Sequence, residues 1–445
     1  MKFLLFLFFL IPLSVLNFWF LFLYSLFFFF FFWLFCFYFV FVLFSLVDLF
    51  WFVSYNMGVD KVSFVFCCLS LWICILMVFS MFYVKLMFFS NYFLLNLNFL
   101  IFFLIIFFLV SNFFLFYFFF ECSLIPVFLI IFGWGSQPER LSSGFFFIFY
   151  TLFASLPFLL IVLLVSIDYG VFSYYINFFM FNNFFMFFIL FSFLMKFPLF
   201  GLHLWLPSAH VEAPVSGSMI LAGVLLKMGG YGFIRCMSFL YYFIFSYSYF
   251  FVGLSIFGCL FVSMFCLVQS DLKVIIAYSS VCHMSFVIGG LFTMTNLGVL
   301  GSLVFILGHG FVSSGLFYLV GLVYNRFGSR SLFILKGLLN VFPSMTFFWF
   351  LFCCMNMSCP PSINLFSEIC LVISLLSWSS YLIYNFFFIL FFSACYSMTI
   401  FFLTQHGNIN SLSKYSFEFF VYDYLVLFFH LYPVFFLMFD LFSFF

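Results

Sequence analysis

Apolar side chains run through this chain almost without interruption. Of its 445 residues, 69% are hydrophobic and only 5% are charged. The surface of a water-soluble domain needs about a quarter of its residues charged, so most of these side chains must face lipid or one another. Uninterrupted apolar runs of about 20 residues are typical of membrane-spanning helices, whereas a lipid-facing barrel strand alternates apolar and polar residues. The sequence therefore predicts an all-α, polytopic integral membrane protein.

The apolar runs divide into about 14 predicted transmembrane helices. Their ranges are about 3–23, 25–47, 63–84, 92–111, 112–132, 144–166, 184–206, 213–235, 239–267, 273–293, 297–324, 340–378, 381–403 and 422–444. The first run follows Lys2 as in a secretory signal, but the apolar residues continue to Val47 without a small-residue cleavage site. We therefore expect both N-terminal helices to be retained.

Composition excludes several classes of function. Lysines and arginines number 12 against 11 acidic residues, so no basic patch exists for a nucleic-acid partner. The 14 cysteines include no Cys-x-x-Cys pair, and the glycine-rich motifs of nucleotide sites are missing from the sequence. We expect no metal, nucleotide or redox centre bound directly by this chain. Phenylalanine supplies 98 residues, a bias that A+T-rich coding produces and that indicates an organelle-encoded chain.

The positive charges predict an orientation, because lysines and arginines accumulate in the loops on one side of a membrane. Three cations, Lys2, Lys61 and Arg235, lie on one predicted side. Seven lie on the other, in loops that follow odd-numbered helices: Lys85, Arg140, Lys273, Arg326, Arg330, Lys336 and Lys414. Both termini are therefore predicted on the positive-poor side.

Six ionisable residues fall near the middle of separate predicted helices. They are Glu121, Lys196, Lys227, His283, His309 and Glu368. Each costs about 2.5 to 3.5 kcal/mol to place at the bilayer centre, and such groups normally face an interior cavity or one another. One interpretation is a set of structural polar anchors between helices. The other is a path for protons, since carboxylates, lysines and imidazoles at matching depth can exchange them.

Prolines predict breaks in two of these helices. Pro198 follows Lys196 by two residues, and Pro360 and Pro361 precede Glu368. A proline inside a helix frees carbonyl groups, and discontinuous helices with charges at the break are how many transporters build a midplane site. We expect broken helices at both places. Gly308 and Gly310 flank His309 and leave room either for water or for close helix packing.

A second cluster of polar residues follows the first break. His203, His210 and Glu212 are ligand types for zinc, but Pro207 and Pro214 predict a turn here, and the spacing matches no standard metal motif. We favour a role in ordering the loop or in proton uptake.

Several segments closely resemble chain 4 of proton-pumping NADH:ubiquinone oxidoreductase, respiratory complex I. The matching segments are KFPLFGLHLWLP at 196–207, HVEAP at 210–214, LLK at 225–227, DLK at 271–273, AYSS at 277–280, HM at 283–284, HG at 309–310, YNR at 324–326, and Arg140 followed by YT at 150–151. The resemblance covers roughly residues 45–405. Gly308 stands where this family usually has alanine.

The resemblance implies a fold of 14 helices with two inverted five-helix repeats, each containing one broken helix. The implied domains are 1–91 with the N-terminal helices, 92–235 and 239–404 as the two repeats or half-channels, and 405–445 with a loop and the last helix. Glu121 would pair with Lys196. Lys227, His283 and His309 would connect toward Glu368.

The resemblance also implies a function. The chain would be a membrane-arm subunit of the proton-translocating reductase, moving protons across the mitochondrial inner membrane, with its termini on the intermembrane-space side. NADH, FMN, iron–sulfur clusters and ubiquinone would be bound by partner subunits. Neighbouring antiporter-like subunits and membrane lipid, including cardiolipin, would surround it. The alternative is a subunit of a multi-subunit cation/proton antiporter, which shares the fold and the charged row.

Overall fold

The computed structural model describes residues 51–54, 57–80, 90–169, 183–408 and 419–439. The predicted helices 3–23 and 25–47 lie outside the described residues, as do Lys2, Lys85 and Lys414. A short antiparallel hairpin precedes the first described helix, with strands β1 at Trp51–Ser54 and β2 at Met57–Val59.

Helices make up nearly all of the remaining described chain, as predicted. The helices of its first part are α1 (Lys61–Ser80), α2 (Ser90–Leu109), α3 (Phe113–Cys122), α4 (Leu124–Trp134), α5 (Arg140–Tyr169), α6 (Asn183–Lys196), α7 (Trp205–Glu212) and α8 (Val215–Ile220). A π-helical turn, Leu221–Leu225, joins α8 to α9 (Leu226–Val268). The later helices are α10 (Leu272–Phe292), α11 (Asn296–Phe327), α12 (Leu338–Val341), α13 (Pro343–Asn356), α14 (Ile363–Trp378), a 3₁₀ turn at Ser380–Leu382, α15 (Ile383–Gln405) and α16 (Val421–Phe439).

Polar residues set several helix ends. Asn112, Asp271 and Thr295 each precede a helix and accept a hydrogen bond from a backbone N–H of its first turn. These side chains satisfy donors that a helix start leaves without an intrahelical partner. Gly328 ends α11 with a left-handed backbone at φ 68°, which glycine adopts without a side-chain clash.

Both predicted breaks are present. Helix α6 ends at Lys196, and residues 197–204 form turns before α7 begins. Gly201 lies in these turns with φ 92°. The other break separates α13, which ends at Asn356, from α14. Within the described residues, nine helical segments are long and apolar enough to cross a membrane.

The predicted helices 213–235 and 239–267 are joined without a helical interruption, yet the chain reverses direction between them. Phe233 and Phe251 both contact the ring of Phe292, at centroid distances of 5.1 and 4.6 Å. In a straight helix those two residues would lie about 27 Å apart, at 1.5 Å per residue. One phenylalanine ring cannot span that separation. Helix α9 therefore folds back on itself and supplies two crossings.

The described chain forms two compact units. Among the described residues, the first unit comprises those up to Ser192 together with 212–220; in it, α1 packs on α2 and α8, and α4 packs on α2 and α5. The second comprises the described residues of 193–211 and those from 221 onward, and it is centred on α9, α10 and α11. Helices α14, α15 and α16 pack around those three. Lys196, Lys227, His283, His309 and Glu368 belong to the second unit, whereas Glu121 belongs to the first.

Candidate functional site

Lys227 lies just after the π-helical turn, in the second residue of α9. Its side chain is fully buried, and its Nζ donates a hydrogen bond to the backbone carbonyl of Ala222 at 2.5 Å. A π-helical turn shifts the hydrogen-bonding register by one residue, and such turns occur often at functional sites. The turn at 221–225 thus brings a carbonyl oxygen to the ammonium group in a region without water-facing neighbours.

The second partner of Lys227 is a histidine from α11. The Nζ of Lys227 lies 2.9 Å from Nδ1 of His309, and both side chains are buried. If the lysine carries the proton, its ammonium donates to the imidazole lone pair; if the lysine is a neutral amine, it accepts from an imidazole N–H. The same contact therefore fits two protonation states. This is the geometry required for passing a proton between the two groups.

His283, from α10, continues the contact series. Its ring centroid lies 5.5 Å from that of His309. The Nε2 atom of His283 lies 3.0 Å from the hydroxyl oxygen of Tyr396, a fully buried residue of α15. The side chain of Asn356 also hydrogen-bonds with His283. Four helices therefore contribute to one buried series of titratable groups: Lys227, His309, His283 and Tyr396.

Glu368 lies on α14 in the same unit. Its side chain hydrogen-bonds with Ser358, a residue of the second break, and its charge lies within electrostatic range of Tyr396. Ser358 adopts a positive φ of 57°, which is uncommon for a residue other than glycine. The break after α13 thus supplies a direct partner for the carboxylate that was singled out from the sequence.

Glu121 and Lys196 are the remaining two members of the row. Glu121 is the second-last residue of α3 and is partly buried. Lys196 is the last residue of α6 and is 4% exposed, so its ammonium group lies at the end of the helix where the first break begins. Their pairing remains a prediction.

The break after Lys196 is held by neighbouring residues of the second unit. The indole nitrogen of Trp205 donates to the carbonyl of Met195 at 3.0 Å, which joins α7 back to the end of α6. Gly229 allows α9 to approach the break closely: a Cβ there would lie 2.7 Å from the backbone nitrogen of Phe197. Lys227 is two residues away from this contact.

The histidines after the break form no metal cluster. Within the described residues, no group of three or more His, Cys, Asp or Glu side chains is arranged to hold a metal ion. His203 and His210 are both buried, and the ring of His210 stacks on Phe317 of α11.

Tyr396 is a functional candidate that the sequence did not reveal. The segment around it, Ser393 to Thr399, matches no functional motif. A tyrosine is common in membrane helices, so its identity alone carries no signal. Its placement against His283 depends on the packing of α15 on the central helices, which is visible only in three dimensions.

Comparison with known proteins identifies the family. A family model described as "NADH:quinone oxidoreductase/Mrp antiporter, TM" matches residues 110–394, and one described as "NADH-ubiquinone oxidoreductase chain 4, amino terminus" matches residues 1–107. The relative named NADH-ubiquinone oxidoreductase chain 4 in Locusta migratoria is 46% identical over 421 residues, covering 92% of this chain and 91% of its own length. The relative of that name in Ceratitis capitata is 44% identical over 386 residues, covering 86% of each.

The chain belongs to the NADH-ubiquinone oxidoreductase chain 4 family. It is thus an antiporter-like membrane subunit of that oxidoreductase, as the sequence motifs indicated. A solved structure, "Respiratory complex I from Thermus thermophilus with bound NADH", contains a chain with the same fold. The TM-score is 0.78 at 23% identity, over 85% of this chain and 81% of the other.

Proposed function

We propose that this chain moves protons across the mitochondrial inner membrane through the row of Glu121, Lys196, Lys227, His283, His309 and Glu368. The supporting observation is the buried series that joins Lys227 to His309 at 2.9 Å and His283 to Tyr396 at 3.0 Å. Isolated polar anchors between helices would each satisfy their own bonds with local carbonyl groups. Here four helices bring titratable side chains into two direct contacts, Lys227 with His309 and His283 with Tyr396.

In our proposal, Lys227 is the residue whose protonation state changes as protons pass along the row. When its ammonium donates to His309, the proton rests on the lysine; when a proton moves onto the imidazole, the lysine becomes a neutral amine. Two adjacent cations at low dielectric repel each other by several kcal/mol, so only one excess proton is stable on the pair at a time. A second proton arriving at the pair drives the first along His283 and Tyr396 toward Glu368.

The pair formed by Glu121 and Lys196 couples this proton movement to electron transfer in the partner subunits. A charge change arriving from a neighbouring antiporter-like subunit alters the attraction between carboxylate and ammonium. Opening such a pair in a medium of low dielectric changes the electrostatic potential at nearby titratable groups. In this proposal, electron transfer from NADH to ubiquinone takes place in partner subunits that hold FMN and iron–sulfur clusters.

The repeats 92–235 and 239–404 serve as two half-channels, and cardiolipin is among the surrounding lipids. The termini lie on the intermembrane-space side, since Arg140, Lys273, Arg330 and Lys336 belong to the positive face that remains in the matrix.

Substitution of Lys227 tests the proposal. In the assembled complex, Lys227→Met keeps a long apolar side chain but removes the ammonium group. We expect proton-coupled turnover to fall roughly tenfold or more, because a positioned proton-transfer group contributes about 10²- to 10⁴-fold. The measurement is the proton-to-electron ratio and the rate of NADH oxidation in membrane vesicles. Lys61→Met, at the start of α1 and outside the row, is the control and should retain both. An unchanged ratio and rate in the Lys227 variant would contradict the proposed row.

A further inference from the structure

His210 is a fully buried histidine of α7 that the proposed row does not use. Its ring stacks on Phe317 with a centroid distance of 4.6 Å and an interplanar angle of 2°. Neither of its ring nitrogens has a hydrogen-bond partner among the described residues. The stacking fixes the plane of the imidazole, and both nitrogens are buried on edges of the ring that the stacking does not cover.

A buried imidazole without hydrogen bonds is energetically costly. Proteins normally satisfy such a buried polar group with a bound water molecule that contacts several polar atoms. The two nitrogens of His210 therefore point to water binding on both edges of the ring. A histidine hydrated on two edges can accept a proton at one nitrogen and release another from the second.

The neighbours of His210 connect two regions. His210 lies within electrostatic range of Lys273, in the first turn of α10, and also within range of Lys227 and His309. These cations and the imidazole are the titratable groups that face His210 from α9, α10 and α11. His210 is thus close both to the Lys227–His309 pair and to the start of α10.

A charged cluster, which we call the rim, lies next to His210 at the start of α10 and in the loop after α11; it consists of Asp271, Lys273 and Arg330. The carbonyl of Val211, the residue after His210, accepts hydrogen bonds from Lys273 Nζ at 3.2 Å and Arg330 Nη1 at 2.8 Å. Arg330 Nε also pairs with Asp271 Oδ2 at 2.8 Å. Two backbone bonds, Leu272 N to Arg330 O and Leu332 N to Ser270 O, hold the two loops together.

The rim reaches the surface of the chain. The side chains of Arg330 and Asp271 are 13% and 27% exposed, whereas Lys273 and His210 are buried. Burial raises the pKa of Asp271, against the opposing effect of Arg330. This carboxylate therefore binds protons at a higher pH than it would without the desolvation. The carboxylate also offsets the positive charge of the two cations at this point.

We infer that His210 is a proton relay that takes up protons at the rim and delivers them to the Lys227–His309 pair. This inference rests on the proposed function. A proton from water at the rim binds one ring nitrogen, and the N–H bond at the other nitrogen breaks and gives its proton to water beside Lys227. The neutral imidazole then returns to its first tautomer when the proton on the rim-side nitrogen passes through water to the other nitrogen, so that each cycle delivers one proton inward. No group is oxidised or reduced. Lys273 and Arg330 are positioning residues. Their hydrogen bonds to the Val211 carbonyl hold α7, and with it the His210 ring, in place.

Another buried histidine of the second unit offers a matched control. His430 of α16 is also fully buried and also stacks on a ring of α11, that of Tyr318. Its Nδ1 atom hydrogen-bonds to the carbonyl of Val426 at 2.8 Å, within its own helix, while Nε2 has no partner among the described residues. His430 thus shares burial and stacking with His210 but is not adjacent to the rim.

The experiment compares His210→Gln, His430→Gln and Lys227→Met in the assembled complex, with each rate normalised to the amount of intact complex in the membrane. Glutamine preserves size and hydrogen bonding but cannot carry a proton near neutral pH. We expect His210→Gln to lower proton-coupled turnover roughly tenfold, and His430→Gln to leave it unchanged. Retained turnover in the His210 variant together with loss in the Lys227 variant would overturn the relay and leave the proposed row intact. Retained turnover in both would overturn the two proposals together.

Chemical rescue separates proton transfer from packing. In His210→Ala, added imidazole should restore turnover, whereas pyrazole, a ring of the same size that is much less basic, should not. Equal rescue by both compounds would indicate that His210 only fills space and would overturn the relay. Phe317→Leu removes the ring on which His210 stacks. If neither compound rescued His210→Ala, and Phe317→Leu lost as much turnover as His210→Gln, the relay would also be overturned. Packing alone would then account for the effect.

Discussion

At the scale of single residues, the buried hydroxyl of Tyr396 is the most informative addition to the row. It lies 3.0 Å from Nε2 of His283 and is the only feature that distinguishes this side chain from phenylalanine. A hydroxyl at hydrogen-bond distance can both donate and accept, so it can pass a proton onward without moving. In the proposed row the next acceptor is Glu368, whose charge lies within electrostatic range of Tyr396.

Tyr396→Phe should therefore reduce the proton-to-electron ratio while retaining assembly, because the ring and its packing are preserved. Tyr318→Phe is the matched control: its hydroxyl is also buried but donates to Asp423 at 3.1 Å, outside the row. We expect the Tyr318 variant to lower the free energy of unfolding by about 1 kcal/mol, the contribution of one hydrogen bond. It should leave the proton-to-electron ratio unchanged. The ratio is measured in vesicles containing the assembled complex. An equal effect of the two substitutions would contradict a role for Tyr396 in proton transfer.

The sequence predicted the residue types of the row but not their contacts. Lys227, His283 and His309 were conspicuous because charged or titratable groups are rare in apolar helices. Their direct contact depends on how α9, α10 and α11 pack, and spacing along the chain carries no information on that. Asp423 was missed for the same reason. It pairs with Arg326 at 2.8 Å, and the two residues are 97 positions apart in the sequence.

At the scale of elements, the breaks were predictable because proline removes a backbone donor and clashes with the preceding turn. Pro198 and Pro360 both mark places where the structure interrupts a helix. The π-helical turn before Lys227 was not predictable, since residues 221–225 contain no local signal beyond ordinary apolar side chains. The continuous helicity of α9 was also missed, because the sequence gives no reason for helical hydrogen bonding to persist through a reversal.

The close approach of α9 to the first break yields a second prediction. A Cβ at position 229 would meet the backbone nitrogen of Phe197 at 2.7 Å and the carbonyl of Phe193 at 2.9 Å. Backbone atoms cannot rotate away as a side chain can, so Gly229→Ala must push α9 away from the end of α6. We expect the free energy of unfolding to fall by about 1 to 3 kcal/mol. Proton pumping should fall as well, because Lys227 moves with the helix.

Gly253→Ala serves as the control in the same helix. A Cβ at that position meets no atom within 4 Å. Alanine favours a helix by up to about 1 kcal/mol relative to glycine, so stability should be unchanged or slightly higher. The comparison uses the temperature at which each variant complex loses half of its activity. If Gly229→Ala matched Gly253→Ala, the close packing at the break would not be required.

At the scale of the whole molecule, the reversal in α9 matters for topology. If α9 crossed the membrane once, every loop after it would change sides, and the positive charges would be divided between both faces. Because the two halves of α9 run back along each other, the predicted alternation is preserved. On this alternation Arg235 is predicted on the opposite side from Lys273 and Arg330. The rim is then predicted on the side with the greater positive charge.

This arrangement predicts which compartment supplies the protons. Lys336 belongs to the loop between α11 and α13, on the predicted matrix face, whereas the C-terminal residues 440–445 are predicted to face the intermembrane space. An antibody against the C-terminal peptide should therefore bind mitochondria whose outer membrane has been removed, but not inside-out inner-membrane vesicles. A membrane-impermeant amine reagent should show the opposite preference for Lys336. Reversed accessibility of both sites would place the rim toward the intermembrane space, and His210 would then lie on the release side of the row, not on the uptake side.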